Sequence, residues 1–141
     1  QLADELEAVG VAHAEAALDE PLARTDRLAA LNALCVGHVA RGAPAAALPF
    51  CDRVVRESWG DWRALNNRAN ARMAVGDLRA AILDYERALD ALDSQGGDAG
   101  VRQLGRAGWQ SGRDMLVENL ALARRRYEAD WQVARIPAPP R

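Results

Sequence analysis

The chain has 141 residues, a formal net charge of −2, two cysteines and no lysine, so all 18 cationic side chains are arginine. That length suits one domain with a real core, and the uniform arginine usage fits a GC-rich coding bias. No apolar run reaches the ~18 residues of a membrane span, and a pI near 5.7 without a basic, aromatic-interleaved stripe argues against nucleic-acid binding.

The chain then reads as a series of helices. Residues 3–19 carry Leu6, Val9 or Gly10, His13, Ala17 and Leu18 at helical spacing, which predicts an amphipathic helix with these residues inward. Pro21 interrupts, and Thr25 or Asp26 can cap a second helix over 26–41 through Leu28, Leu31, Leu34 and Cys35. Gly42 ends it. Pro44 suits the first turn of a third helix over 44–57, with Leu48, Cys51, Val54 and Val55 inward. Trp59-Gly60-Asp61-Trp62 reads as a turn with Asp61 as a cap. Helices over 62–75 and 78–92 follow, joined by Gly76-Asp77. The glycine-rich stretch 94–112 predicts a flexible insertion, mobile at 94–100, which Val101, Leu104 and Trp109 can pin back in part. A final helix over about 114–133 presents Leu116, Leu120, Ala123 and Tyr127 to the core. It turns Arg124-Arg125-Arg126, Glu128 and Asp130 outward as a cap. Ile136-Pro137-Ala138-Pro139-Pro140-Arg141 cannot be helical and predicts a frayed tail.

Two segments superpose at an offset of 34 residues: Leu31 on Leu65, Asn32 on Asn66, Cys35 on Ala69, Gly42 on Gly76, Ala47 on Ala81, Cys51 on Tyr85, Val54 on Ala88. A helical self-similarity of that period marks a helix-turn-helix repeat array. The segment Asp61–Asp93 resembles a tetratricopeptide repeat. Leu65 takes the early large position; Ala69, Ala81 and Ala88 take the small ones; Gly76-Asp77 is the turn and Tyr85 the aromatic. Residues 27–56 are a looser copy. Arg68 and Arg72 depart from the pattern, standing where the family prefers Leu and Tyr. Asn119-Leu120-Ala121-Leu122-Ala123 looks like the first helix of a third repeat, arriving 18 residues late. Shifting the frame back by 34 makes the N-terminal helix the second half of an incomplete repeat.

The resemblance implies an all-α fold, a right-handed α-α superhelix of about six helices. One domain would span 1–136: an N-terminal helix at 1–20, repeats at 27–57 and 61–93, the insertion at 94–112, a capping helix at 113–135, and a tail at 137–141. It also implies a concave groove lined by the first helix of each repeat. In the second repeat those positions are Arg63, Asn66, Asn67, Asn70 and Met73; in the third, Met115, Glu118, Asn119, Leu122 and Arg125. The first repeat offers Ala29, Asn32, Val36 and Val39. Asn amides can bond a peptide backbone, and Arg63 and Arg125 can each grip a carboxylate in a two-bond fork. Alternatively Asn67 and Asn119 bond neighbouring helices. The lysines of the family's carboxylate-clamp subtype are absent.

Other chemistry is sparse. Cys35 and Cys51 lie equally far from residue 43, at the turn between their two helices, which puts them at one level of an antiparallel pair. They can form a disulfide or remain as buried thiols. His13 and His38 lack the spacing of metal ligands. The glycine-rich stretch lacks the Gly-Lys-Ser/Thr ending of a phosphate cradle. No nucleophile-base or paired-carboxylate arrangement stands out, so neither catalysis nor a cofactor is expected.

Charge is uneven along the chain. Residues 1–26 hold seven acids against Arg24, a balance of −6; residues 101–141 hold eight Arg against four acids, a balance of +4. This polarity can steer an acidic partner to the C-terminal half or favour head-to-tail self-association. The expected function is non-catalytic protein or peptide binding in the groove. The alternative is a structural subunit of an oligomer that packs through its open ends. A start at Gln1 and a paired cysteine geometry point to an exported, periplasmic protein, against a cytoplasmic one.

Overall fold

A computed structural model describes residues 2–18, 23–95 and 98–135, and side chains within them apart from a few at the helix ends. The expected tail at 137–141, Pro21 and the Gly96-Gly97 pair lie outside the described residues. The described residues form six α-helices and no strand: α1 (Leu2–Leu18), α2 (Arg24–Ala40), α3 (Pro44–Glu57), α4 (Trp62–Val75), α5 (Leu78–Gln95) and α6 (Asp98–Arg135). Each helix packs against the next in the chain, and α2 also packs against α4.

The helix boundaries follow local chemistry. Pro44 is the first residue of α3, where its missing N–H costs nothing. The Asp61 carboxylate accepts a hydrogen bond from the Arg63 backbone N–H at 2.9 Å and caps α4. Gly76 closes α4 in the left-handed region (φ 85°), where a side chain would be strained. The proposed cap at Thr25 or Asp26 is corrected: α2 starts earlier, its cap position is Ala23, and both residues lie inside the first turn.

Alanine lets the helices approach closely. Ala69, Ala81 and Ala88 are fully buried in the cluster that α4 and α5 share with Leu65, Met73, Tyr85 and Leu92, and into which α6 drops Leu116, Leu120 and Ala123. Cys35, Ala47, Cys51 and Ala71 form a second cluster. The Cys35 and Cys51 sulfurs are 2.08 Å apart, with Cα atoms 4.9 Å apart, so the pair is a disulfide bridging α2 and α3.

The expected inward face of α1 is also corrected. Among the side chains described on α1, which exclude Ala17 and Leu18, Val11 and Ala14 are the buried ones, with Val11 packed so close to α2 that a Cβ on Gly37 would come within 2.8 Å of it. Leu6, Val9, Gly10 and His13 are exposed. The helix is apolar on both sides, and α2 covers only one.

The expected loop at 94–112 is largely helical. α6 begins at Asp98 and is interrupted at Gly105 (φ 71°, ψ 158°), a backbone conformation open to glycine. Gly112 is no loop residue: a Cβ there would meet the Trp62 ring at 2.9 Å, so its small size sets the approach of α6 to α4. Trp109 is half-buried and donates from Nε1 to the Leu92 carbonyl at 3.3 Å, tying α6 to α5.

The departures at Arg68 and Arg72 have a structural counterpart in Asp84, which is fully buried. Arg68 donates to both its oxygens, Nε to Oδ2 and Nη2 to Oδ1, each at 2.8 Å. Arg72 Nη1 adds a bond to Oδ2 at 2.7 Å. Arg68 Nη1 also reaches Asp52 on α3 at 3.2 Å. The Asp84 hydrogen bonds hold the Arg68 guanidinium even above its ordinary pKa, outweighing the cost of its burial.

Candidate functional site

The seam between α2 and α4 gathers half of the groove residues named from the sequence: Ala29, Asn32, Val36, Val39, Arg63, Asn67 and Asn70. Asn67 Nδ2 donates to Asn32 Oδ1 at 2.8 Å across it. On the other side of α4, Asn119 Nδ2 donates to Asn66 Oδ1 at 3.2 Å. The two rungs are equivalent in register. Asn66 lies 34 residues after Asn32, and Asn119 lies 52 after Asn67, the same 34 plus the 18-residue delay. These asparagines therefore bond neighbouring helices, the second of the two roles open to them.

Two hollows open along the α2–α4 seam. The larger, about 520 Å³, is lined by Arg24, Leu28, Ala29 and Asn32 of α2, Val54 and Ser58 at the end of α3, and Asp61, Arg63 and Ala64 at the start of α4. The smaller, about 180 Å³, is lined by Val36, Val39, Ala40, Asn67 and Asn70. Asn32 and Asn67 lie one in each, so the rung separates them.

Charge is concentrated at the rim of the larger hollow. Arg63 stacks over the Trp62 ring at 5.0 Å, and its nearest carboxylate, Asp61, is 3.8 Å away. The guanidinium is half-exposed and retains donors for a ligand. Arg24 donates to the Glu57 carbonyl at 2.8 Å, and Arg27 Nε pairs with Glu57 Oε1 at 2.8 Å. The Arg27 hydrogen bond holds the Glu57 carboxyl below its usual pKa, against a smaller opposing effect of burial. Trp59 follows the lining residue Ser58 and is 89% exposed at a positive φ of 59°, a conformation uncommon for a bulky residue. The sequence reading took it only as part of a turn.

Other expected groove residues sit elsewhere. Asn66 and Met73 are buried, Asn66 against Asn119 and Met73 in the α4–α5 core, so neither presents a surface to a ligand. Asn70 accepts from the Tyr85 hydroxyl at 2.6 Å while still lining the smaller hollow. Burial, with Asp84 adding to it, pushes the Tyr85 phenol up to about 12. Glu118 and Arg125 are exposed on α6, with Met115 and Leu122, and line neither hollow.

The histidines are dispersed. His13 is exposed, and His38 stacks on Phe50 at 5.6 Å with Nε2 3.6 Å from Glu15. Among the described residues no group of three or more metal-ligating side chains converges, and no helix is long and apolar enough to cross a membrane. Comparison with protein-family models, curated proteins and solved structures gives no match to this chain.

Proposed function

We propose that the chain is a non-catalytic adaptor of the tetratricopeptide type, a short right-handed solenoid that holds an extended peptide along the α2–α4 seam. The observation that carries the reading is the pair of hollows flanking the Asn32–Asn67 rung. The hollow at one end is edged by Arg63, Arg24 and Ser58; the other is walled by Val36, Val39 and Ala40. An apolar wall beside a few convergent polar groups is what ligand sites require. A peptide with a carboxylate near Arg63 and apolar side chains toward Val36 fits it.

The repeat reading is supported by the 34-residue offset and by two asparagine rungs in one register. Export to an oxidising compartment is supported by the Cys35–Cys51 bridge, since such bonds persist there and are rare in reducing cytosol.

The test is selection from a random peptide display library, followed by calorimetric titration of the selected peptides. Arg63→Ala and Val36→Arg are expected to weaken binding tenfold or more, while Arg126→Ala on α6 leaves it unchanged. A library that yields no binder, or binders indifferent to both seam variants, sinks the proposal.

A further inference from the structure

Helices α1 and α6 each carry an open apolar face. On α1, Leu2, Leu6 and Val9 are 71%, 65% and 66% exposed. With His13 they form one stripe, spaced four, three and four residues apart, facing away from the Val11 and Ala14 contact with α2. The repeat register says what such a face does elsewhere in the chain. Gly10 and His13 fall on Leu78 and Ala81 at twice the 34-residue offset, and those two are buried in the α4–α5 core. Of the stripe itself only His13 has a counterpart on α5, since Leu2, Leu6 and Val9 fall before it on Asn70, Ala74 and Asp77; the stripe continues toward the N-terminus the side that α5 packs against α4.

α6 presents the other half. At the 52-residue offset set by the asparagine rungs, Leu65 and Ala69 fall on Val117 and Ala121. Leu65 and Ala69 are buried in the α4–α5 core, whereas Val117 is 42% exposed and Ala121 only half-buried. Leu116, Leu120 and Ala123 of the same helix are the ones that reach the core. Arg124 and Arg125 continue the open face, both exposed. The helix α1 has Asp4, Glu5, Glu7 and Glu15 and no arginine.

We propose that a second copy of this chain docks its α1 stripe on the Val117–Ala121–Arg125 face of α6, so that α6 and the incoming α1 reproduce the α4–α5 pair across the contact. Charge complementarity selects this occupant: Asp4, Glu5 and Glu7 flank the start of the α1 stripe, and Arg124 and Arg125 close the α6 face. The contact uses a different patch on each molecule, so it does not close at two copies and assembly continues head to tail. It leaves the α2–α4 seam open, and its failure would leave the peptide-binding proposal standing.

Light scattering coupled to sizing chromatography tests it across concentration and salt. The mass of the wild type is expected to rise with concentration past twice the monomer's 15.3 kDa. It should fall back as salt goes from about 0.05 to about 0.5 M, which shortens the Debye length several-fold. Leu6→Arg blocks the α1 face and Val117→Glu the α6 face, each leaving the other face intact. Each variant alone should be monomeric with unchanged circular dichroism, and an equal mixture should stop at a dimer with one of each. Arg125→Glu replaces Val117→Glu if that variant misfolds. A monomer under every condition, a dimer that either variant leaves intact, or a mixture that stays monomeric overturns the proposal.

Discussion

Asp84→Asn isolates the charge at the centre of the α4–α5 contact while keeping the shape of the side chain. Asp84 accepts three arginine hydrogen bonds of 2.7–2.8 Å and is fully buried. Asparagine keeps one acceptor oxygen and turns an NH2 toward a guanidinium, so at least one charge-assisted bond is lost and donors face donors. Removing one partner of a buried pair costs about 3–5 kcal/mol, mostly because the other charge is stranded. Here Arg68 keeps Asp52 at 3.2 Å, and the Arg72 side chain is 23% exposed and can rehydrate. The expected loss is therefore at the low end, about 3 kcal/mol, or roughly 6–12 °C of melting temperature for a chain of this size. Urea denaturation followed by circular dichroism measures it. Replacing Arg68, Arg72 and Asp84 together by Met, Met and Leu removes the burial cost along with the attraction and should restore stability to within about 2 kcal/mol of wild type. A loss below about 1 kcal/mol for the single variant would show that the cluster is surface-like in its energetics and refute the argument.

Four further outcomes are expected. Ala81→Leu should overpack the α4–α5 crossing and cost about 1–3 kcal/mol; an unchanged urea midpoint would contradict the close approach seen there. Reducing the Cys35–Cys51 bond should lower stability by about 3 kcal/mol in the chain-entropy model, and thiol titration of the denatured, unreduced native protein should find no free thiol. With Tyr127→Phe leaving Tyr85 as the one phenol, absorbance at the phenolate band should rise with a midpoint of about 12. The folded state holds that proton beyond the unfolded value near 10, so the associated stability is whole below about pH 10 and is lost as pH rises through about 12. A midpoint near 10 in the folded protein would count against the burial of Tyr85. Trypsin should cut after exposed Arg106, beside the Gly105 break, before it cuts within α2–α5; first cleavage inside α4 would contradict that order.

The helices were legible because their punctuation is strong. Gly42 with Pro44, Asp61, and Gly76 each impose a backbone requirement that few residues meet. The bridge between Cys35 and Cys51 was legible as a possibility from their equal distance to one turn; whether the alpha carbons come close enough depends on helix packing that composition does not specify. The Asp84 cluster was missed although its signal was present. Asp84 lies three residues after Ala81 and four before Ala88, both inward positions, so helical periodicity places it inside, and Arg68 and Arg72 sit one turn apart on the facing helix. Glycine content misled the reading of 94–112, because a glycine at a helix crossing, such as Gly112 under Trp62, looks the same in sequence as one in a loop. Of the residues named for a groove, Arg63, Asn67 and Asn70 line the hollows between α2 and α4. Asn66 and Met73 do not, because they sit one step around α4 and are covered by α6 and α5.

Equivalent places in the two helix pairs are fastened by different means. Cys35 and Cys51 occupy the register positions of Ala69 and Tyr85, so α2 and α3 are joined by a covalent bond where α4 and α5 rely on packing and the Asp84 ions. In a chain whose helices touch mainly their sequence neighbours, local opening propagates along the array. The covalent clasp makes α2–α3 the slowest pair to separate, and unravelling should proceed from α6 inward. Native-state hydrogen exchange would then show protection falling from the first pair toward the C-terminus, and reductant would flatten that gradient without reversing the order of α5 and α6.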